Sequence, residues 1–293
     1  IRIYITHRSL AFKGKECHVY KPRIIIKIMK TNPQARVERV EKVWTPDAKL
    51  YIPHEDKEIA FAYPSFGPDT YQSVGKQILE NNLEIPTAEQ TASLLYSAYF
   101  SDEKNEPEFE NIGSIMRNRW LWIFNRNLWT DKGVYVVQDN EAKGLTEELD
   151  PEKLESILNV GIELDNGVRI SRDGKVRFAP RDSYRFGEHD SESLAKDGFV
   201  IANYDLNGAM QLAEVSKRFK YHPKTLGVEV GEDDKPELRV SALRDYLGNR
   251  LHVYCDYFDG DWDGHAFGVL KYCQRHSLKA VANFFRSFFW RFY

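Results

Sequence analysis

Two Asx-Gly pairs, Asn166-Gly167 and Asp173-Gly174, lie seven residues apart around Val168-Arg-Ile-Ser171, with Lys175-Val-Arg-Phe178 following. Asn-Gly and Asp-Gly favour the positive φ of hairpin turns, so this stretch reads as antiparallel strands. Around it the chain keeps changing period. Thr87-Ala-Glu-Gln90 has capping-box spacing ahead of Leu94, Leu95 and Tyr99, and Asp69-Thr-Tyr-Gln72 gives the same signal after Pro68, predicting a helix that runs to Asn81-Asn82. Apolar spacing predicts a third helix from Glu108 to Phe124, and Asp150-Pro151 opens a short one over 151–158. Gly133–Val137, Gly198–Ala202, Leu226–Val230 and Arg250–Phe258 read as strands, with Gly198–Ala202 leading through Asp205 into a helix that reaches Phe219. This is neither regular βαβ alternation nor a sandwich. It predicts an α+β fold, with a helix-rich N-terminal half packed with a mixed, largely antiparallel sheet in the C-terminal half.

A chain of 293 residues, 42% hydrophobic and 29% charged, can bury a substantial core, and its longest apolar runs are far too short to span a bilayer. A globular, cytoplasmic protein is expected. Cys17, Cys255 and Cys273 have neither metal spacing nor a disulfide framework. The net charge of −3 is unevenly spread: residues 1–28 carry +6 and residues 271–293 carry +5, leaving −14 between them. An acidic body repels phosphates, which disfavours nucleic-acid binding by the whole domain. Met29-Lys-Thr-Asn32 looks like a natural start, so residues 1–28 are expected as a basic extension outside the fold. A helix-rich part over 29–145 and a strand-rich part over 146–270 would follow, with 29–270 able to form one domain. The basic aromatic tail, 271–293, has seven aromatics in its last thirteen residues. Phe284, Phe285, Phe288, Phe289 and Phe292 share a helical face that would dock on the core or, in the alternative, touch a membrane surface.

Chemistry concentrates in Asp256-Tyr-Phe-Asp-Gly-Asp-Trp-Asp-Gly-His265. Asp259, Asp261 and Asp263 match the opening of a calcium loop, where alternating carboxylates wrap a hard cation such as calcium or manganese. Leu270 stands where an EF-hand places its bidentate glutamate, so only half the motif is present. If 259–264 is a hairpin tip, Asp256 lies diagonal to His265 and orients it as a general base. Gly264-His-Ala-x-x-Val269 resembles the histidine strand of papain-like peptidases. That family also needs a cysteine at the start of an earlier helix, and Cys17 lies in no such context. Gly67 to Gln77 departs from a phosphate loop in glycine spacing and in lacking the Ser/Thr that would hold magnesium.

A second candidate mixes Arg117, Arg119 and Arg126 with Trp120, Trp122 and Trp129, the residue types that neutralise phosphates and stack on bases. Asp139 and Asp205 each follow an apolar run, where open sheets place catalytic carboxylates. The leading expectation is a binding or accessory protein without chemistry of its own. The alternatives are a divalent-cation-dependent hydrolase at 256–265 and a single-strand or RNA binder at 117–129.

Overall fold

The computed structural model describes residues 35–39, 48–257 and 263–271. A three-stranded antiparallel sheet comes first: β1 (Arg36–Arg39), β2 (Ala48–His54) and β3 (Lys57–Tyr63), in that spatial order. After β4 (Phe66–Asp69) come α1 (Tyr71–Glu80), α2 (Ala88–Phe100) and α3 (Pro107–Asn118). The chain then forms β5 (Trp120–Thr130), β6 (Gly133–Gln138), α4 (Pro151–Leu158), β7 (Ile162–Glu163), β8 (Arg169–Ile170), β9 (Val176–Pro180) and β10 (Gly187–Glu188). It continues with α5 (Ser191–Lys196), α6 (Gly198–Ser216), β11 (Lys224–Leu226), β12 (Glu237–Asp245), β13 (Leu251–Tyr257) and β14 (Gly264–Ala266).

The large sheet runs β10-β11-β13-β12-β5-β6-β9-β8-β7, with β14 joined to β4 and β5. It is mixed, because β11 lies parallel to β13 and β14 parallel to β5. β5 is its centre, and ten of its eleven residues are buried. Their side chains alternate between two cores. Leu121 and Ile123 join Leu243, Leu251 and Val253 under α2, α3 and α6, while Trp120, Trp122 and Phe124 join Ala242 and Tyr254 on the face that α1 packs against. α4 lays Leu154 and Leu158 on Leu128, Tyr135 and Phe178 farther along.

This overturns the predicted fold class. Helices are spread through the chain, and strands are as well: β1 to β6 all precede residue 145, and the longest helix, α6, lies in the supposedly strand-rich half. The unpredicted strands β1 to β4 and two misread segments account for the difference. The helix predicted to Phe124 stops at Asn118, and Trp120–Thr130 is a strand; its opening run Trp120–Phe124 is apolar at every position because both faces are buried, and so mimics a helical core stripe. Gly198–Ala202 is helix, not strand: Asp197 caps Val200 N–H, and the helix runs through the interior with every side chain from Phe199 to Tyr204 buried.

Other signals hold. Thr87 and Gln90 form the reciprocal capping box, Asp150 caps α4 ahead of Pro151, and Gly167 and Gly174 take positive φ of 79° and 73°. Thr70, one residue after the predicted position, caps α1.

Candidate functional site

The open half of the sheet carries one transverse row of side chains. Glu188 pairs in register with Lys224, Lys224 with His252, and His252 with Arg244, across β10, β11, β13 and β12. Directly opposed residues share a face, so all four point to the same side. The row ends on β5, where the Arg244 guanidinium sits 4.6 Å from the centre of the Trp120 ring. That contact is a cation–π pair on an indole that is itself buried.

His252 is the centre of this row. Its ring is stacked by Tyr246, with centroids 5.3 Å apart and planes 5° from parallel, and its Nδ1 lies 2.6 Å from the Tyr254 hydroxyl. Only 7% of the residue is exposed, and Nε2 is buried without a hydrogen-bond partner. Burial, followed by Arg250, Lys224 and Arg244, pushes the imidazole down to about 4. The ring is therefore neutral near pH 7. Of those three cations, Arg250 pairs with the Glu188 carboxylate at 2.6 Å.

Tyr221 and Tyr246, the two tyrosines exposed by more than a third among the described residues, flank Arg250. The Arg250 guanidinium lies 5.5 Å from the Tyr221 ring, and Tyr246 N–H donates to the Arg250 carbonyl. Gly248, at φ 73°, lets the chain turn tightly enough to bring Tyr246 back over His252.

The predicted hairpin is absent. β13 pairs with β12 and β11, whereas β14 pairs with β4 and β5, so the register that set Asp256 beside His265 does not exist. His265 takes the register of Leu121, on the opposite side from Trp120, and its Nδ1 lies 3.1 Å from Ser65 Oγ. Burial and then Arg119 hold its pKa below the usual histidine range. Gly264 is needed for a close approach rather than a turn: a Cβ there would lie 2.3 Å from the Trp122 indole nitrogen. Asp263 is exposed, Asp259 and Asp261 lie outside the described residues, and no group of three His, Cys, Asp or Glu side chains placed to hold a metal occurs among the described residues.

The Arg/Trp set is divided between surface and core. Arg117 and Arg119 are exposed, but Arg126 is buried and donates to the Gly144 and Glu147 carbonyls, and Trp122 donates to the Asp69 carbonyl. Asp139 is also used internally, accepting from Tyr71 and from the backbone of Lys143 and Gly144.

Asp205 lies beside a shallow cleft of about 240 Å³, open solvent included, between the start of α2 and β6 and β9. It breaks α6 at φ 62° and ψ 172°, bonds Arg177 at 3.2 Å, and caps the second half of the helix through Leu206 N–H. Burial, with Asp205 next, pushes the neighbouring Glu89 up to about 7. These groups chiefly satisfy one another: Arg177 also reaches the Ala202 carbonyl freed by the break.

Sequence reading missed the His252 row, although a signal for it was present. Arg250, His252 and Tyr254 alternate with Leu251, Val253 and Cys255, a strand with one apolar face and one cationic and aromatic face.

No helix among the described residues is long and apolar enough to cross a membrane. No family model matches the chain, and no curated protein matches it. A solved structure described as "Accommodation of massive sequence variation in Nanoarchaeota by the C-type lectin fold" is 12% identical to it, over 74% of this chain and 100% of that one, with a TM-score of 0.43. A likeness of that size says nothing about this chain's role.

Proposed function

We propose that this protein is a non-catalytic binding protein whose ligand docks on the sheet face around His252. The observation that carries the reading is the cluster of Lys224, Arg244 and Arg250 about one buried histidine, bordered by two half-exposed tyrosines. Tyrosine and arginine supply large contact area and directional donors, and they dominate the energetics of binding surfaces.

The same geometry argues against acid–base chemistry at this histidine. A general base works best with a pKa near the operating pH, and an orienting carboxylate usually raises it. Here the partner of Nδ1 is a phenol, and cations surround the ring.

Two-dimensional NMR of the full chain against a panel of sugars, sugar phosphates, nucleotides and short peptides tests the reading. A ligand should move the resonances of Lys224, Arg244, Tyr246 and His252 together. Ligands that move only the cleft at Thr87 and Arg177, or none that move the row, would remove the face from consideration.

A further inference from the structure

Resting on that reading, we propose that the ligand carries a phosphate monoester, held by Lys224, Arg244 and Arg250 with the imidazole Nε2–H of His252 as a fourth donor. Three independent features of the row converge on this chemistry.

The first is charge. Lys224, Arg244 and Arg250 face the same histidine from β11, from β12 and from the turn before β13, and Glu188 offsets one of them. The excess of two positive charges matches a phosphate monoester, which carries about −1.5 to −2 at neutral pH.

The second is the unpartnered nitrogen. A buried ring nitrogen with no partner costs about 1–3 kcal/mol, which a ligand that accepts from it would offset. When the Tyr254 hydroxyl donates to Nδ1, the ring proton sits on Nε2, and an oxyanion is the acceptor that position lacks.

The third is direction. The donors come from separate strands and a turn and stand side by side on one face of the sheet. Three terminal oxygens of a tetrahedral ester can accept from all of them, whereas a carboxylate is satisfied by a single forked arginine. The approach is along the partly exposed Lys224 and Arg244 side chains, past Tyr246, which is 48% exposed at the rim.

The test uses methyl phosphate, methyl sulfate and acetate as probes at pH 7.5 and matched ionic strength, read by NMR of the histidine rings and arginine Nε–H groups in the full chain. Methyl phosphate is expected to shift the His252 ring and Arg244 Nε–H, and to bind at least about fivefold more tightly than the two monoanions. Arg244→Ala and, separately, Lys224→Ala should each weaken it roughly tenfold. Both positions are partly exposed, so these variants keep the fold, and His265 serves as an internal control that should not move.

Equal responses to all three anions would mean a diffuse positive field and would overturn the assignment, as would no response to methyl phosphate. If the anions are inert but neutral sugars or peptides move the same resonances, the phosphate assignment fails and the binding face stands. If no compound moves them, the face itself fails.

Discussion

The imidazole of His252 lies flat against the phenol of Tyr246, with centroids 5.3 Å apart and planes within 5° of parallel. Tyr246 sits in a 3-10 turn of three residues, Tyr246–Gly248, and is 48% exposed, so the stack forms at the rim rather than inside a core. Tyr246→Ala should therefore cost little stability, about 0.5–1.5 kcal/mol for the lost ring pair. Ligand affinity should fall roughly tenfold, because the exposed ring borders the face on which the ligand docks and adds contact area there. Urea unfolding and a binding titration on the same variant separate the two effects. A large stability loss with unchanged binding would make Tyr246 a structural prop.

Three titratable groups pull the pH dependence of stability in two directions. His252 titrates at about 4 in the folded chain, below the usual 6.5. Between those values the unfolded chain holds a proton that the folded one lacks, so stability falls as pH drops from 6.5 to 4. Glu89 titrates at about 7, above the usual 4.5, so between 4.5 and 7 the folded chain keeps the extra proton and stability falls as pH rises. Asp197, pushed up to about 6 by burial, acts in the same direction as Glu89. Glu89→Gln should thus gain on the order of 1–3 kcal/mol at pH 8 and almost nothing at pH 5. His252→Gln should flatten the acid limb alone. Urea midpoints at pH 5, 6.5 and 8 check both; a Glu89→Gln gain that is the same at all three would mean the carboxyl is not titrating as stated.

The parts of the fold legible from sequence were those set by local chemistry. Thr87 with Gln90, Asp150 with Pro151, and the glycines at 167 and 174 hold their backbone geometry through neighbours no more than four residues away. What sequence did not show was set by partners far along the chain. Trp120–Thr130 looks helical because both faces are buried, and only its neighbours β12 and β6 make it a strand. Gly264 is a case of the same kind: it stands in a turn-like sequence, but Trp122, far earlier in the chain, is what excludes a side chain there. The candidate site shows the same division. The alternation of Arg250, His252 and Tyr254 was readable, whereas Lys224 and Arg244 joined them only through strand register.

At Asp205 the backbone takes φ 62° and ψ 172°, a region costing a non-glycine residue about 1–3 kcal/mol. Arg177 holds it there through the Asp205 carboxylate and the Ala202 carbonyl. Asp205→Gly relieves the strain but loses the ion pair, a loss of about 0–1 kcal/mol at this partly exposed site. Asp205→Ala keeps the strain and loses the same bonds. The glycine variant should be more stable than the alanine variant by at least about 1 kcal/mol. Denaturant midpoints decide, and equal stabilities would mean that the break in α6 is not strained.

Behind the sheet, Ser241 joins three strands to α6 in a buried polar network. Its hydroxyl accepts from Asn127 Nδ2 at 2.7 Å, donates to Asn203 Oδ1 at 2.9 Å and lies 2.8 Å from Cys255 Sγ. Asn203 in turn takes Asn125 Nδ2 on its carbonyl and gives its own amide to the Phe199 carbonyl. Asn127, Asn203, Ser241 and Cys255 are each 0% exposed, so no water replaces a lost partner. Ser241→Ala removes one small hydroxyl and adds no bulk, leaving Asn127 Nδ2 with only the more distant Asn125 carbonyl, at 3.5 Å. The loss should be about 1–3 kcal/mol, well above the few tenths of a kcal/mol expected for a surface serine. Because β13 is one of the joined strands, the same variant should also speed amide exchange at Val253 and Cys255, next to His252. If Ser241→Ala unfolds at the wild-type midpoint, the four side chains are merely accommodated, and the rigidity of the strand that carries His252 must come from its apolar face alone.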